Sequence, residues 1–177
     1  MSRTMVIAAC VQVLVVAAGA GAQTSTVRVP DRLAARSDES LAMVVSARGV
    51  QIYECRAKKG EPAGFEWAFV APEAELYDSR GSRIGRHYAG PSWEANDGSR
   101  VQGTMKERVD APIGSTIPWL LLTTRSAGPA GAFSKVTAIQ RVNTVGGVPP
   151  STGCEDGAVG KRARVSYTAD YYFYAAR

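Results

Sequence analysis

The segment Arg164–Tyr174 constrains the fold most. Val165, Tyr167, Ala169, Tyr171 and Phe173 fall on alternate positions, and a period of two places them on one face of a β-strand. Asp170, Tyr172 and Tyr174 share the other face. Shorter versions of this pattern recur. Val50 and Ile52 alternate with Gln51, Tyr53 and Cys55, and Phe65-Trp67-Phe69 forms a period-two aromatic face that is expected to be buried. Arg100–Val109 alternates with weaker hydrophobicity, which suggests an edge strand or a face toward a cleft. Ile117-Pro118-Trp119-Leu120-Leu121-Leu122 is the most apolar run past the N-terminal segment and reads as a central strand, with a buried helix as the competing assignment. Val136–Val142 is a further β-rich run.

Between these runs lies turn chemistry. GEPAG, Asp78-Ser79-Arg80-Gly81 and Asp97-Gly98 read as turns. PSWEANDGS, SAGPAGAF and TVGGVPPSTG read as loops. Little room is left for helix beyond a short turn around Asp31–Arg36. The expectation is an all-β domain, a single antiparallel β-sandwich or small barrel of about eight or nine strands with long loops.

The first 22 residues read as a signal peptide. Arg3 precedes an apolar run, Val6 to Ala18, broken only by Gln12, and Ala20-Gly21-Ala22 fits the small-x-small cleavage rule. The run is shorter than the roughly 20 residues a spanning helix needs. Cys10 lies at its start, whereas a lipidated cysteine would follow it. The expected organisation is residues 1–22 as signal peptide, 23–40 as an extended lead-in and 41–177 as one β-domain. The product is then exported, to the periplasm or the medium, with no transmembrane segment after cleavage.

Cys55 and Cys154 are the cysteines beyond that leader. In an exported chain two thiols most simply pair. A metal or redox pair is the alternative, but no C-x-x-C is present.

Charge adds little. The chain carries 21 basic and 16 acidic residues. Lys161-Arg162-Ala163-Arg164 is the nearest approach to a basic block, so nucleic acid is not an expected partner.

Taken in order, several motifs carry a family resemblance. They are GVQIYEC, the long APEAELYDSRGSRIGRHYAGPSWEANDGSRV, IPWLLLTT, VTAIQRVNTVGGVPPSTGC and the closing VSYTADYYFY. The sequence resembles the domain-of-unknown-function 3455 family of exported bacterial and fungal proteins over roughly Pro30 to Tyr174. The resemblance implies a single exported domain and supports a Cys55–Cys154 pair. It brings no established activity and no catalytic residues.

The segment RHYAGPSWEANDGS is the richest in chemistry. It holds Arg86, His87, Tyr88, Trp93, Glu94, Asn96 and Asp97. Polar groups beside aromatic faces suit a sugar or another small polar ligand. Arg141 and Asn143 form a second polar cluster beside a glycine-rich loop. The first reading is therefore a domain that binds a small polar ligand, a glycan or an envelope protein, with no cofactor implied. The plainer alternatives are a histidine hydrogen-bonded at a strand end, a Trp93 that plugs the end of the domain, and an Arg141 buried against Glu107 or Asp170.

Enzymatic readings centre on His87, the one histidine. A metal-assisted or His-dependent hydrolase would use it with Glu94 or Asp97. No G-x-S-x-G elbow marks a triad. Glu94 and Asp97 as a glycosidase pair would need a cleft between them. A third reading is a periplasmic inhibitor of a cell-wall hydrolase, since Tyr53-Glu54-Cys55 loosely resembles the early Y-x-C of such proteins. Their targets are often basic, and so is this chain.

Overall fold

The computed structural model describes residues 27–60 and 64–177. The expected signal peptide, the first residues of the lead-in and the middle of GEPAG lie outside them. Eight antiparallel strands form one sheet: β1 Glu39–Ala57, β2 Phe65–Tyr77, β3 Arg83–Tyr88, β4 Ser92–Ala95, β5 Arg100–Val109, β6 Trp119–Ser126, β7 Val136–Gly146 and β8 Arg162–Ala176. Each strand pairs with the next in sequence, and β8 pairs with β1 along most of its length, which closes the sheet into a meander barrel. Of the two expected architectures, the barrel is realised. Closure removes most of the edges that an open sheet would expose.

The barrel core follows from alternation. Val45 and Ala47 of β1, Leu76 of β2, Trp93 of β4, Val101 of β5, Leu122 of β6, Ile139 of β7 and Tyr171 and Phe173 of β8 all face inward and pack together. Phe133, from the β6–β7 loop, packs edge-on against Phe173 at 5.0 Å and fills one end. β1 comes so close to β2 that a Cβ on Gly49 would lie 2.1 Å from the Glu73 carbonyl oxygen. Gly49→Ala is expected to lower the unfolding free energy by about 1–3 kcal/mol, since backbone must move; a denaturant midpoint unchanged from the parent would refute this.

A second apolar cluster lies outside the barrel. Leu33, in the 3-10 turn Asp31–Leu33, is fully buried against Trp119, Leu121, Ala138 and Val142, with Val27, Val29, Tyr172 and Tyr174 around it. The Gln140 amide donates to the Leu33 carbonyl, and the Tyr174 hydroxyl donates to Gln140. The lead-in is thus a strap across β6–β8. It explains why the Ile117–Leu122 run is apolar at every position: Leu120 and Leu122 turn toward the barrel, Trp119 and Leu121 toward the strap. Among the described residues no helix is long and apolar enough to cross a membrane.

Three expectations need correction. PSWEANDGS is not a loop throughout, because Ser92–Ala95 forms β4, with Asp97-Gly98 turning into β5 at a Gly98 φ of 83°. The aromatic face of β2 is not buried. Phe69 is 54% exposed, and the Trp67 indole donates to the Thr152 carbonyl of the β7–β8 connection. Arg141 meets neither Glu107, which pairs with Arg32, nor Asp170, which accepts from Asn143.

The exposure of Phe69 has a topological cause. Only Ala74–Tyr77 of β2 pairs with β3, and only Arg100–Gln102 of β5 pairs with β4. The short β3–β4 hairpin therefore closes part of the wall, and above it the sheet is split between β2 and β5.

Candidate functional site

A cavity of about 370 Å³ lies above the packed core, and all eight strands line it. Gln51 comes from β1, Phe69, Val70 and Pro72 from β2, His87 from β3, Trp93 from β4, Met105 from β5, Leu120 and Leu122 from β6, Arg141 from β7 and Tyr171 from β8. Gly90 and Pro91 of the β3–β4 turn sit at the split in the wall. Phe69 and Met105, 54% and 59% exposed, flank that opening from the two sides. An eight-stranded barrel has an interior just wide enough to be filled or to hold one small ligand. Here one end is filled and the other is not.

Trp93 and His87 form the cavity's aromatic floor. They are cross-strand partners in the β3–β4 hairpin and stack at 4.3 Å with 13° between planes. Tyr171 meets both edge-on. The indole fits because β5 carries Gly103 opposite it; a Cβ there would lie 2.8 Å from the ring. His87 is 3% exposed, and its Nδ1 lies 2.9 Å from the Ser92 carbonyl oxygen. A carbonyl only accepts, so Nδ1 carries the proton and Nε2 is left as an acceptor. The His87 pKa is lowered from 6.5 to about 3, chiefly by burial; the Ser92 hydrogen bond opposes that shift and the Arg141 charge adds to it. The imidazole is neutral at physiological pH.

Among the described residues lining the cavity, Arg141 is the one that carries a charge. Its Nε and Nη2 donate to the Pro118 carbonyl at 3.1 and 2.8 Å, and its guanidinium has no carboxylate partner among the described residues. Two further donors are unsatisfied. Gln51 Nε2 and Trp93 Nε1 are fully buried and make no hydrogen bond of ordinary length. The Gln51 side chain interacts with the Tyr167 hydroxyl, outside ordinary hydrogen-bond geometry. Buried donors without acceptors are uncommon in native proteins.

The other residues singled out by the sequence lie elsewhere. Alternation sends Arg86, Tyr88 and Glu94 to the outer face of the hairpin that carries His87 and Trp93 inward. There Glu94 accepts from Arg86 at 2.7 Å and from Tyr88 at 2.6 Å, with Arg100 at 3.8 Å. The Tyr88 bond first, and Arg86 next, hold its carboxyl below the usual range. Asp97 joins the β4–β5 turn to the β6–β7 loop through Ser99 and the Ala132 N–H, and Ser99 is the main cause of its lowered pKa. Asn143 follows Arg141 by two positions and would share its face in a regular strand. A bulge intervenes, with Asn143 at a φ of 50°, and its amide donates to Asp170 on the outer face. Asn96 donates to the Arg83 carbonyl.

The structure therefore brings together His87, Trp93 and Arg141 and separates them from Arg86, Tyr88, Glu94, Asp97 and Asn143. Among the described residues no three His, Cys, Asp or Glu side chains converge as metal ligands. Gln51, Met105, Leu120 and Tyr171 also line the cavity, though no sequence motif marks them as site residues. Gln51 was discoverable, as a polar residue on the inward face of an alternating strand.

Fold and cavity together define a small meander β-barrel with a partly apolar internal chamber. The family model described as a protein of unknown function (DUF3455) matches residues 36–175, and the chain belongs to that family. No curated protein matches it. The Cys55–Cys154 disulfide joins the end of β1 to the β7–β8 connection, across 99 residues.

Proposed function

We propose that this protein is an exported binding domain that holds one small, mainly apolar molecule inside its barrel. The carrying observation is the cavity itself, lined from all eight strands and opening through a wall split whose rim is Phe69 and Met105. Its volume lies at the lower end of the roughly 300–1,000 Å³ typical of small-molecule sites. The apolar walls favour a more hydrophobic ligand than the sugar or polar molecule that the aromatic-polar segment suggests. A hydrolase using His87 with Glu94 or Asp97 lacks support, since neither carboxylate reaches the cavity.

The test is titration with N-phenyl-1-naphthylamine, a neutral apolar dye, on disulfide-intact protein. Saturable one-to-one binding is expected. Met105→Trp, at the exposed rim, should weaken it about tenfold or more by narrowing the opening, with little effect on stability. Dye binding that is absent, or indifferent to the rim substitution, would sink the proposal.

A further inference from the structure

Resting on that binding reading, we infer that the ligand is a monoanion, a carboxylate on an apolar body, with its head group held by Arg141 and Gln51.

Charge is the first argument. Arg141 brings one permanent positive charge to the wall, and among the described residues no acidic one lines the same cavity. Its field reaches Tyr53, His87, Tyr167 and Tyr171. Burial keeps the three phenols protonated and the imidazole neutral, so none of them offsets that charge. A partly buried cation without a counter-charge is unfavourable, and proteins ordinarily pair it.

Hydrogen bonding is the second. A guanidinium has five N–H donors; the Pro118 carbonyl takes two and the Tyr171 hydroxyl meets a third. The amide nitrogen of Gln51, 2% exposed, adds a buried donor with no hydrogen bond of ordinary length. The unmet need is for acceptors and negative charge together. An ionised carboxylate is acceptor-only and carries one charge, matching one guanidinium. A phosphate monoester would bring close to two charges against one. A neutral sugar would bring as many donors as acceptors into a cavity already rich in donors.

The third is the body. Phe69 and Met105 at the opening and Leu120 and Leu122 within offer an apolar path continuous with the polar end. An amphipathic carboxylate enters that arrangement in one orientation.

The test is competition against bound N-phenyl-1-naphthylamine at pH 7 with decanoate and with 1-decanol, both below aggregation. Decanoate is expected to bind about tenfold or more tightly than the alcohol, as a charge-assisted contact would give. Arg141→Met should bring that ratio close to one. Gln51→Glu places a carboxylate on the same wall and should abolish decanoate binding while leaving the dye and the alcohol. Gln51→Glu decides the matter if Arg141→Met fails to fold. Equal binding of acid and alcohol would overturn the head-group assignment and leave the cavity reading intact. Preference for decanoate that survives both substitutions would place the anion elsewhere and also overturn it. If dye, acid and alcohol all fail to bind, the cavity reading falls and this inference with it.

Discussion

Replacing Cys55 and Cys154 together by alanine is expected to lower the unfolding free energy by about 4–5 kcal/mol. The two residues are 99 apart, and in the chain-entropy view a closed loop of that size restricts the unfolded chain by about 4.7 kcal/mol. A loss near that figure is a large part of the total stability of an ordinary domain. The native geometry suggests a second, local effect. Cys55 is fully buried at the end of β1, and its partner anchors the long β7–β8 connection. That connection is also held by the Tyr53 hydroxyl on the Gly147 carbonyl, by the Trp67 indole on Thr152 and by the backbone pairs of Cys55 with Gly160 and Lys161. Urea unfolding of the double variant should show the global loss. Hydrogen exchange should show extra opening confined to residues 147–161. A global loss under about 1 kcal/mol would mean that the reduced unfolded chain is already restricted.

The elements read most directly from the sequence are those where a single physical signal dominates. β8 alternates without interruption, and its inward residues are those of the barrel core. Two cysteines beyond the expected leader left few options, and they pair. β4 was missed because four residues between a proline and an Asp-Gly turn look like loop by composition. That miss had consequences for the site. Once Ser92–Ala95 is a strand, the hairpin about Gly90-Pro91 pairs His87 with Trp93 and Arg86 with Glu94. Alternation then divides the polar segment between two faces. A run of chemically suggestive residues in a β-protein is half as large as it looks, because neighbours in sequence face opposite ways. The cavity was illegible for the opposite reason. It takes only one to three side chains from each strand, and what joins Gln51 to Arg141 is closure of the sheet. The split beside it depends on the unequal lengths of β2, β3, β4 and β5, which pattern alone does not fix. The exposed Phe69 follows from that split, whereas the aromatic period taken alone argued for burial.

His87 should make the protein progressively less stable as pH falls from about 6.5 toward about 3. In the folded barrel the imidazole is buried against Trp93 and Tyr171, and its pKa is lowered to about 3. In the unfolded chain it returns to about 6.5. Above 6.5 it is neutral in both states and contributes no pH dependence. Below 6.5 the unfolded chain takes up a proton that the folded one refuses, so stability falls with decreasing pH, by about 1.4 kcal/mol per pH unit once the unfolded histidine is fully protonated. The loss levels off near the folded pKa. Glu94, Asp97, Glu54, Glu73 and Asp78 also have lowered values in the folded state. Their stabilisation is present above the unfolded carboxylate pKa, about 4, and is lost as pH falls through and below it. Their effect has the same sign but a lower window. Between pH 6.5 and 5 the slope belongs chiefly to the single histidine. The measurement is the urea midpoint from pH 7.5 to 5 for the parent and His87→Gln. The parent should lose stability with a slope approaching one proton, and the variant should be nearly flat whatever its absolute stability. Equal slopes would mean that His87 charges inside the barrel, against the opposing positive charge of Arg141.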